Sequence, residues 1–121
     1  MLSESARLGL AALAVAVCFA AMNKPSAAQD SGKPAAGDAA AKVEKGKALF
    51  ADYACGSCHS LSDAGATGHV GPSLDGDRDL TQAFIVNRLT NGQGGMPAFA
   101  GQLSPEEMDA LAAYVVHAAS K

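Results

Sequence analysis

With 121 residues and a formal net charge of −3, the chain has room for one ordinary domain, and its acidic balance argues against nucleic-acid binding, which needs a basic footprint. Hydrophobic residues make up 49% of it, but aromatics only 5%, and Trp is absent, so a core made of its own side chains alone would be thin. Three cysteines are present, two of them three positions apart at Cys55 and Cys58.

The N-terminus reads as an export signal spanning 1–28. Arg7 gives a positive start, weakened by Glu4, and Leu8 to Met22 is an uncharged apolar run of 15 residues. Ser26 and Ala28 are placed as in an A-x-A-like cleavage site. The run falls short of the roughly 20 residues of a transmembrane helix, so the expectation is a cleaved signal rather than a retained anchor, with no membrane span after processing. Cys18 leaves with the signal, and Val17 is bulkier than the small residue that usually precedes a lipidated cysteine. Cleavage would also remove Arg7, Lys24 and Glu4, leaving a more acidic chain suited to steering toward a basic docking patch.

Residues 29–41 (QDSGKPAAGDAAA) carry nothing bulky to bury and read as a flexible linker. The folded domain is expected over 42–121, about 80 residues, a size that gains from a large apolar cofactor. Three helices can be read in it. Val43 to Tyr53 offers Val43, Leu49 and Phe50, with Lys42, Lys45 and Lys47 on an exposed side. Leu80 to Thr90 has an apolar stripe of Leu80, Phe84, Ile85 and Leu89, stopped by Asn91-Gly92. In the last helix Ser104 is a natural N-cap, Pro105 suits the first helical position and Glu107 completes a capping box. Met108, Leu111, Ala112, Val115 and Val116 then keep the spacing of one buried face. Gly-rich loops fill Ser60 to Asp79 and Asn91 to Leu103, and no strand pattern stands out.

Cys55-Gly56-Ser57-Cys58-His59 is a C-x-x-C-H haem-attachment signature. Two thiols at this spacing can each form a thioether to one haem vinyl group, and the His that follows can bind the iron. A thioredoxin-like pair also uses C-x-x-C, but it opens a helix after a strand, and no strand precedes it. A zinc site would need further ligands, and only His69 and His117 remain. For the sixth iron ligand the candidates are Met96, Met108, His69 and His117. Met108 lies on the apolar face of the last helix, and His117 sits in the final turn, where a His favours the helix dipole. Met96 stands in a Gly-Gly-Met-Pro loop, 37 positions after His59, where glycines permit close approach and Pro97 stiffens the exit. Met96 is therefore the expected ligand.

These residues resemble class I cytochrome c, the small bacterial kind, over roughly Lys42 to Lys121. The resemblance implies an all-α fold of three or more helices around one covalent haem c. Gly71-Pro72-Ser73-Leu74 is similar to the family's Gly-Pro-x-Leu stretch. On that likeness Pro72 accepts a hydrogen bond from His59 and orients it, while Leu74 packs on the haem. The family also crosses its first and last helices through a Gly and an aromatic, a pattern to which Gly46 and Phe50 correspond on one side and Leu111 and Tyr114 on the other. The Trp that some members place near the haem propionates is missing, which leaves Arg78 or Arg88 as candidate partners.

An iron held by His59 and Met96 has no open position and keeps its ligands in both oxidation states. The expected function is therefore a one-electron carrier between donor and acceptor redox proteins in the periplasm or an equivalent oxidising compartment, not an enzyme. The alternative is a haem-bearing electron-transfer subunit of a dehydrogenase or oxidase complex, in which case a permanent partner would leave a sizeable exposed apolar patch.

Overall fold

The computed structural model describes residues 35–121. The expected signal, 1–28, and the linker up to residue 34 lie outside the described residues. The rest contains three helices, α1 (Ala36–Asp52), α2 (Gln82–Asn91) and α3 (Pro105–Ala119). Between α1 and α2 run two short 3-10 turns and a minimal antiparallel pair, β1 (Ser60–Leu61) and β2 (Ala66–Thr67), joined in the register Ser60 to Thr67 and Leu61 to Ala66. Two-residue strands are too short to show alternation in a sequence, so this pair had no readable pattern.

α1 begins earlier than the sequence suggested, inside the stretch assigned to the linker. Residues 36–41 are Ala-rich and fully exposed, so high helix propensity carries the helix back without any packing. Further along, α1 buries Gly46, Leu49 and Phe50 against α3. At Gly46 an added Cβ would lie 2.1 Å from the Ala110 carbonyl oxygen and 2.6 Å from the Tyr114 Cβ, so the helices touch backbone to backbone there. One turn on, the Phe50 and Tyr114 rings meet edge to face at 5.8 Å and 67°, a geometry that adds about 0.5–1.5 kcal/mol to what burial contributes. The crossing thus uses Ala110 and Tyr114 on α3. Leu111, expected in that role, is buried but turned toward the functional cavity.

The lysines of α1 do not simply face solvent. Lys42 pairs with Asp109 and Lys45 with Glu107 of α3. Lys47 reaches Asp63, 3.3 Å away in the loop after β1. Asp63 also accepts from Tyr114 Oη at 3.0 Å and from Lys121 Nζ at 2.6 Å.

α2 starts after Leu80, because Thr81 caps it by accepting from the Phe84 N–H at 3.2 Å. Gly92, with φ 69°, ends it and donates to the Arg88 carbonyl at 2.7 Å. Ile85 and Leu89 are buried as the stripe suggested, but Phe84 is 45% exposed. α3 carries the full capping box. The Ser104 side chain accepts from the Glu107 N–H, and the Glu107 carboxylate accepts from the Ser104 N–H at 2.9 Å. Met108, Leu111, Ala112 and Val115 are buried, Val116 is half-buried, and Ala110, Tyr114, Ala118 and Ala119 are buried too. α3 buries more than one face because α1 and α2 both pack on it.

Candidate functional site

The Cys-x-x-Cys-His segment is placed by a sharp exit from α1. Ala54 adopts a left-handed conformation (φ 52°, ψ 33°), and the chain then winds through a 3-10 turn, Cys55–Ser57. The Ser57 N–H donates to the Ala54 carbonyl and the His59 N–H to the Cys55 carbonyl, both at 3.0 Å. The motif thus follows a helix, unlike a thioredoxin-type pair, and burial pushes the Cys55 thiol up rather than toward an activated thiolate. Among the described residues no group of three His, Cys, Asp or Glu is arranged to hold a metal ion, which removes the zinc alternative's support.

The loop 68–74 is laid along this segment. The Gly71 N–H donates to the Cys58 carbonyl at 2.8 Å and the Leu74 N–H to the Ser60 carbonyl at 3.0 Å. The contact with His59 is so close that a Cβ at Gly71 would lie 2.5 Å from the ring Cε1. His59 Nδ1 is 2.8 Å from the Pro72 carbonyl oxygen. A carbonyl only accepts, so Nδ1 carries the proton and the Nε2 lone pair is left free for a metal.

Met96 is held by a tight turn in which Gln93 and Met96 exchange both backbone hydrogen bonds at 3.0 Å, with Gly94 at φ 58° between them. The loop is tied to α2 by the Phe99 N–H donating to the Leu89 carbonyl at 2.7 Å. It is tied to the end of α1 through Tyr53, whose ring meets Phe99 edge to face at 5.9 Å and whose hydroxyl donates to the Gln102 carbonyl at 3.1 Å. No sequence motif marks Tyr53 or Phe99. In so aromatic-poor a chain, an aromatic beside each motif was the available signal.

These parts meet around one cavity of about 690 Å³, within the range of about 300–1,000 Å³ typical of cofactor-sized sites. Cys55, Cys58, His59, Pro72, Leu74 and Met96 all line it. The other candidate ligands do not. Met108 is buried in α3, with Thr90 Oγ1 3.7 Å from its sulfur, and His69 and His117 are exposed away from the wall. Arg88 lines the wall and Arg78 does not. The wall is chiefly apolar, offers two thiols and an imidazole nitrogen free to ligate, and contains the buried Arg88 Nε with no partner. That donor set fits a haem.

The family model described as "Cytochrome C oxidase, cbb3-type, subunit III" matches residues 41–115. Cytochrome c6 of Synechocystis sp. is 37% identical over 89 residues, covering 68% of this chain and 70% of that protein. The chain belongs to the small monohaem c-type cytochromes of class I. Cytochrome c6 of Microcystis aeruginosa is 38% identical over 55% of the chain and 86% of its own length. Among solved structures, the c-type cytochrome SorU from Sinorhizobium meliloti matches with a TM-score of 0.62 and 38% identity, over 68% of this chain and 95% of SorU. Cytochrome c6 from the diatom Phaeodactylum tricornutum gives 0.52 and 35%, over 64% and 93%. As a member of this family the cytochrome carries one covalent haem c and serves as a one-electron carrier.

Proposed function

We propose that Cys55 and Cys58 would hold the haem through thioethers, that His59 Nε2 and Met96 Sδ would bind its iron, and that the cytochrome shuttles single electrons between redox proteins in the periplasm. The observation that carries this reading is the convergence of both cysteines, the Pro72-oriented His59 and Met96 on one apolar cavity. The haem supplies the one-electron couple. Pro72 fixes the His59 tautomer and raises its basicity. Met96, pinned through its turn and the Tyr53–Phe99 contact, would offer its sulfur to the iron and so shut out exogenous ligands. Leu74, Leu111 and Val115 exclude water from the wall, which disfavours added positive charge and favours the ferrous state. The periplasmic assignment rests on the export-like pattern of 1–28, and among the described residues no helix is long and apolar enough to cross a membrane.

A second reading has one observation in its favour, since the matching family model describes an oxidase subunit. Against a permanent subunit, the large apolar side chains exposed among the described residues are only Val70 (81%) and Phe84 (45%), both at the cavity. That area suits a transient encounter better than a constitutive interface.

Met96→Ala tests the carrier reading. The native ferric protein should show the near-infrared sulfur-to-iron charge-transfer band, and the ferrous protein should bind carbon monoxide poorly. Met96→Ala should lose the band, bind carbon monoxide readily and gain peroxidase-like activity, with a lower potential. Met108→Ala should keep the band and lose about 2–5 kcal/mol of stability as a core truncation. If the two variants exchanged behaviours, the ligand would be Met108. Ready binding of carbon monoxide by the native protein would exclude a closed carrier.

A further inference from the structure

The Met96 loop has few polar holds on the rest of the chain. Among the described residues, two hydrogen bonds tie 93–103 to residues outside it. The Phe99 N–H donates to the Leu89 carbonyl at 2.7 Å, and the Tyr53 hydroxyl donates to the Gln102 carbonyl at 3.1 Å. The other bonds close the loop on itself. Gln93 pairs with Met96, and the Gln102 and Leu103 N–H groups both donate to the Phe99 carbonyl, at 2.9 and 3.0 Å. Ahead of Met96 the loop is unpacked, since a Cβ at Gly94 or Gly95 would meet nothing within 4 Å. Behind it, the Phe99 ring is set edge to face against Tyr53 at 5.9 Å and 81°. Tyr53 is itself well fixed. Its N–H closes α1 on the Leu49 carbonyl at 3.0 Å, and it stands two positions before Cys55 on the cavity wall. One residue therefore joins the Cys-x-x-Cys-His segment to the Met96 loop, through its ring and through its hydroxyl.

We propose that Tyr53 is a positioning residue for Met96, a latch that grips Phe99 and Gln102 and so keeps the sulfur at the cavity in the ferric protein. The inference rests on the haem reading given above and concerns how its second axial residue is retained. A thioether is a soft donor, and it holds ferric iron less firmly than ferrous. In the ferric protein the anchorage of the loop therefore decides how often Met96 leaves. The glycine side offers no packing to resist that departure, so the restraint falls on the Phe99 side. A ligand entering from solvent binds only the opened fraction, and its apparent affinity reads the strength of the latch.

The test titrates the mature ferric holoprotein with imidazole and follows loss of the near-infrared charge-transfer band. Haem content of each variant is fixed first, by the pyridine haemochrome spectrum. Tyr53→Phe keeps the ring and deletes one hydroxyl. It should lower the apparent dissociation constant about fivefold, the factor that one net hydrogen bond is worth. Phe99→Leu deletes the ring pair and should lower it by a similar factor. Met108→Ala, a core truncation beside Thr90 of α2, should leave the constant near its wild-type value although the protein unfolds more easily. In Met96→Ala the site is already open, so imidazole is followed in the Soret region, and adding Tyr53→Phe there should change nothing. An unchanged constant in Tyr53→Phe would overturn the proposal. So would an equal shift in Met108→Ala, which would make the effect one of global stability. An equal shift from Tyr53→Phe in the Met96→Ala background would overturn it too, because Tyr53 would then be meeting the entering ligand directly. Should Tyr53→Phe fail to mature, Phe99→Leu decides in the same way. A wild-type protein without covalent haem, or without the band, would overturn the underlying reading instead.

Discussion

At Gly71 the loop backbone presses against the imidazole it orients, and hydrogen is the only substituent that fits. A Cβ there would meet three ring atoms of His59 at 2.5 to 3.0 Å. Gly71→Ala should therefore displace either the ring or the Pro72 carbonyl. We expect a holoprotein weakened by about 1–3 kcal/mol through overpacking, with a potential that moves as the His59–Pro72 bond lengthens. Denaturant midpoints and redox titration check the two effects separately. Ala54 shows the opposite situation. It holds a left-handed conformation that costs an L-residue roughly 1–2 kcal/mol, and it does so immediately before Cys55. Ala54→Gly should raise the unfolding free energy by up to about 1 kcal/mol, the remainder being lost to the freer unfolded chain. The Gly-Pro-x-Leu likeness marked the first of these positions. Nothing in the sequence marks the second, because the strain comes from where α1 must end and not from the residue that bears it.

Among the elements, α3 was the most legible and α1 the least. Ser104, Pro105 and Glu107 announce the start of α3 through local hydrogen bonding alone, and the Ser104 backbone N–H draws the Glu107 carboxyl below its usual range. The start of α1 has no such mark, since Ala35 makes no side-chain cap and the helix fades out along an Ala-rich exposed stretch. Phe84 misled the reading of α2 because periodicity records which residues are apolar, not whether a protein neighbour or a cofactor covers them. The cavity residues were legible to the extent that they sit in short motifs: Cys55, Cys58, His59, Pro72, Leu74 and Met96 all line the wall, whereas Tyr53 and Phe99 depend on a contact across 46 positions. Gly46 shows how packing overrides propensity. Gly46→Ala gains up to about 1 kcal/mol of helix propensity, yet it drives a methyl group to 2.1 Å from the Ala110 carbonyl oxygen. Net destabilisation of about 1–2 kcal/mol is expected as overpacking outweighs propensity. A midpoint above wild type in thermal or chemical denaturation would show that α1 and α3 can separate at no cost.

For the whole molecule, Asp63 ties together Lys47 of α1, Tyr114 of α3 and Lys121. Its hydrogen bonds to Lys121, Tyr114 and Lys47 hold its carboxyl well below the ordinary carboxylate range. A depressed native pKa stabilises the fold above the unfolded value of about 4 and loses that contribution as pH falls below it. Tyr114 acts at the other end. Burial first, and then its hydrogen bond to Asp63, pushes the phenol up, so its contribution is lost as pH rises beyond about 10. Asp63→Asn should flatten the acid limb of a melting-temperature profile between about pH 5 and pH 2, with the largest loss of stability at neutral pH. An unchanged profile would mean that the node is loose in solution.

The contact of Gly46 with Ala110 and Tyr114 also has a topological consequence. The first and last helices clasp each other, while the chain between them passes through the exposed stretch 75–79, where Arg78 offers a cleavage point for trypsin. A cut there divides the molecule into a piece bearing Cys55, Cys58 and His59 and a piece bearing Arg88 and Met96, yet leaves the clasp whole. The nicked protein should run as one species in gel filtration, keep its charge-transfer band and come apart only in denaturant. His59 and Met96, the two residues proposed to bind the iron, would then belong to separate polypeptides, a cytochrome reassembled from halves.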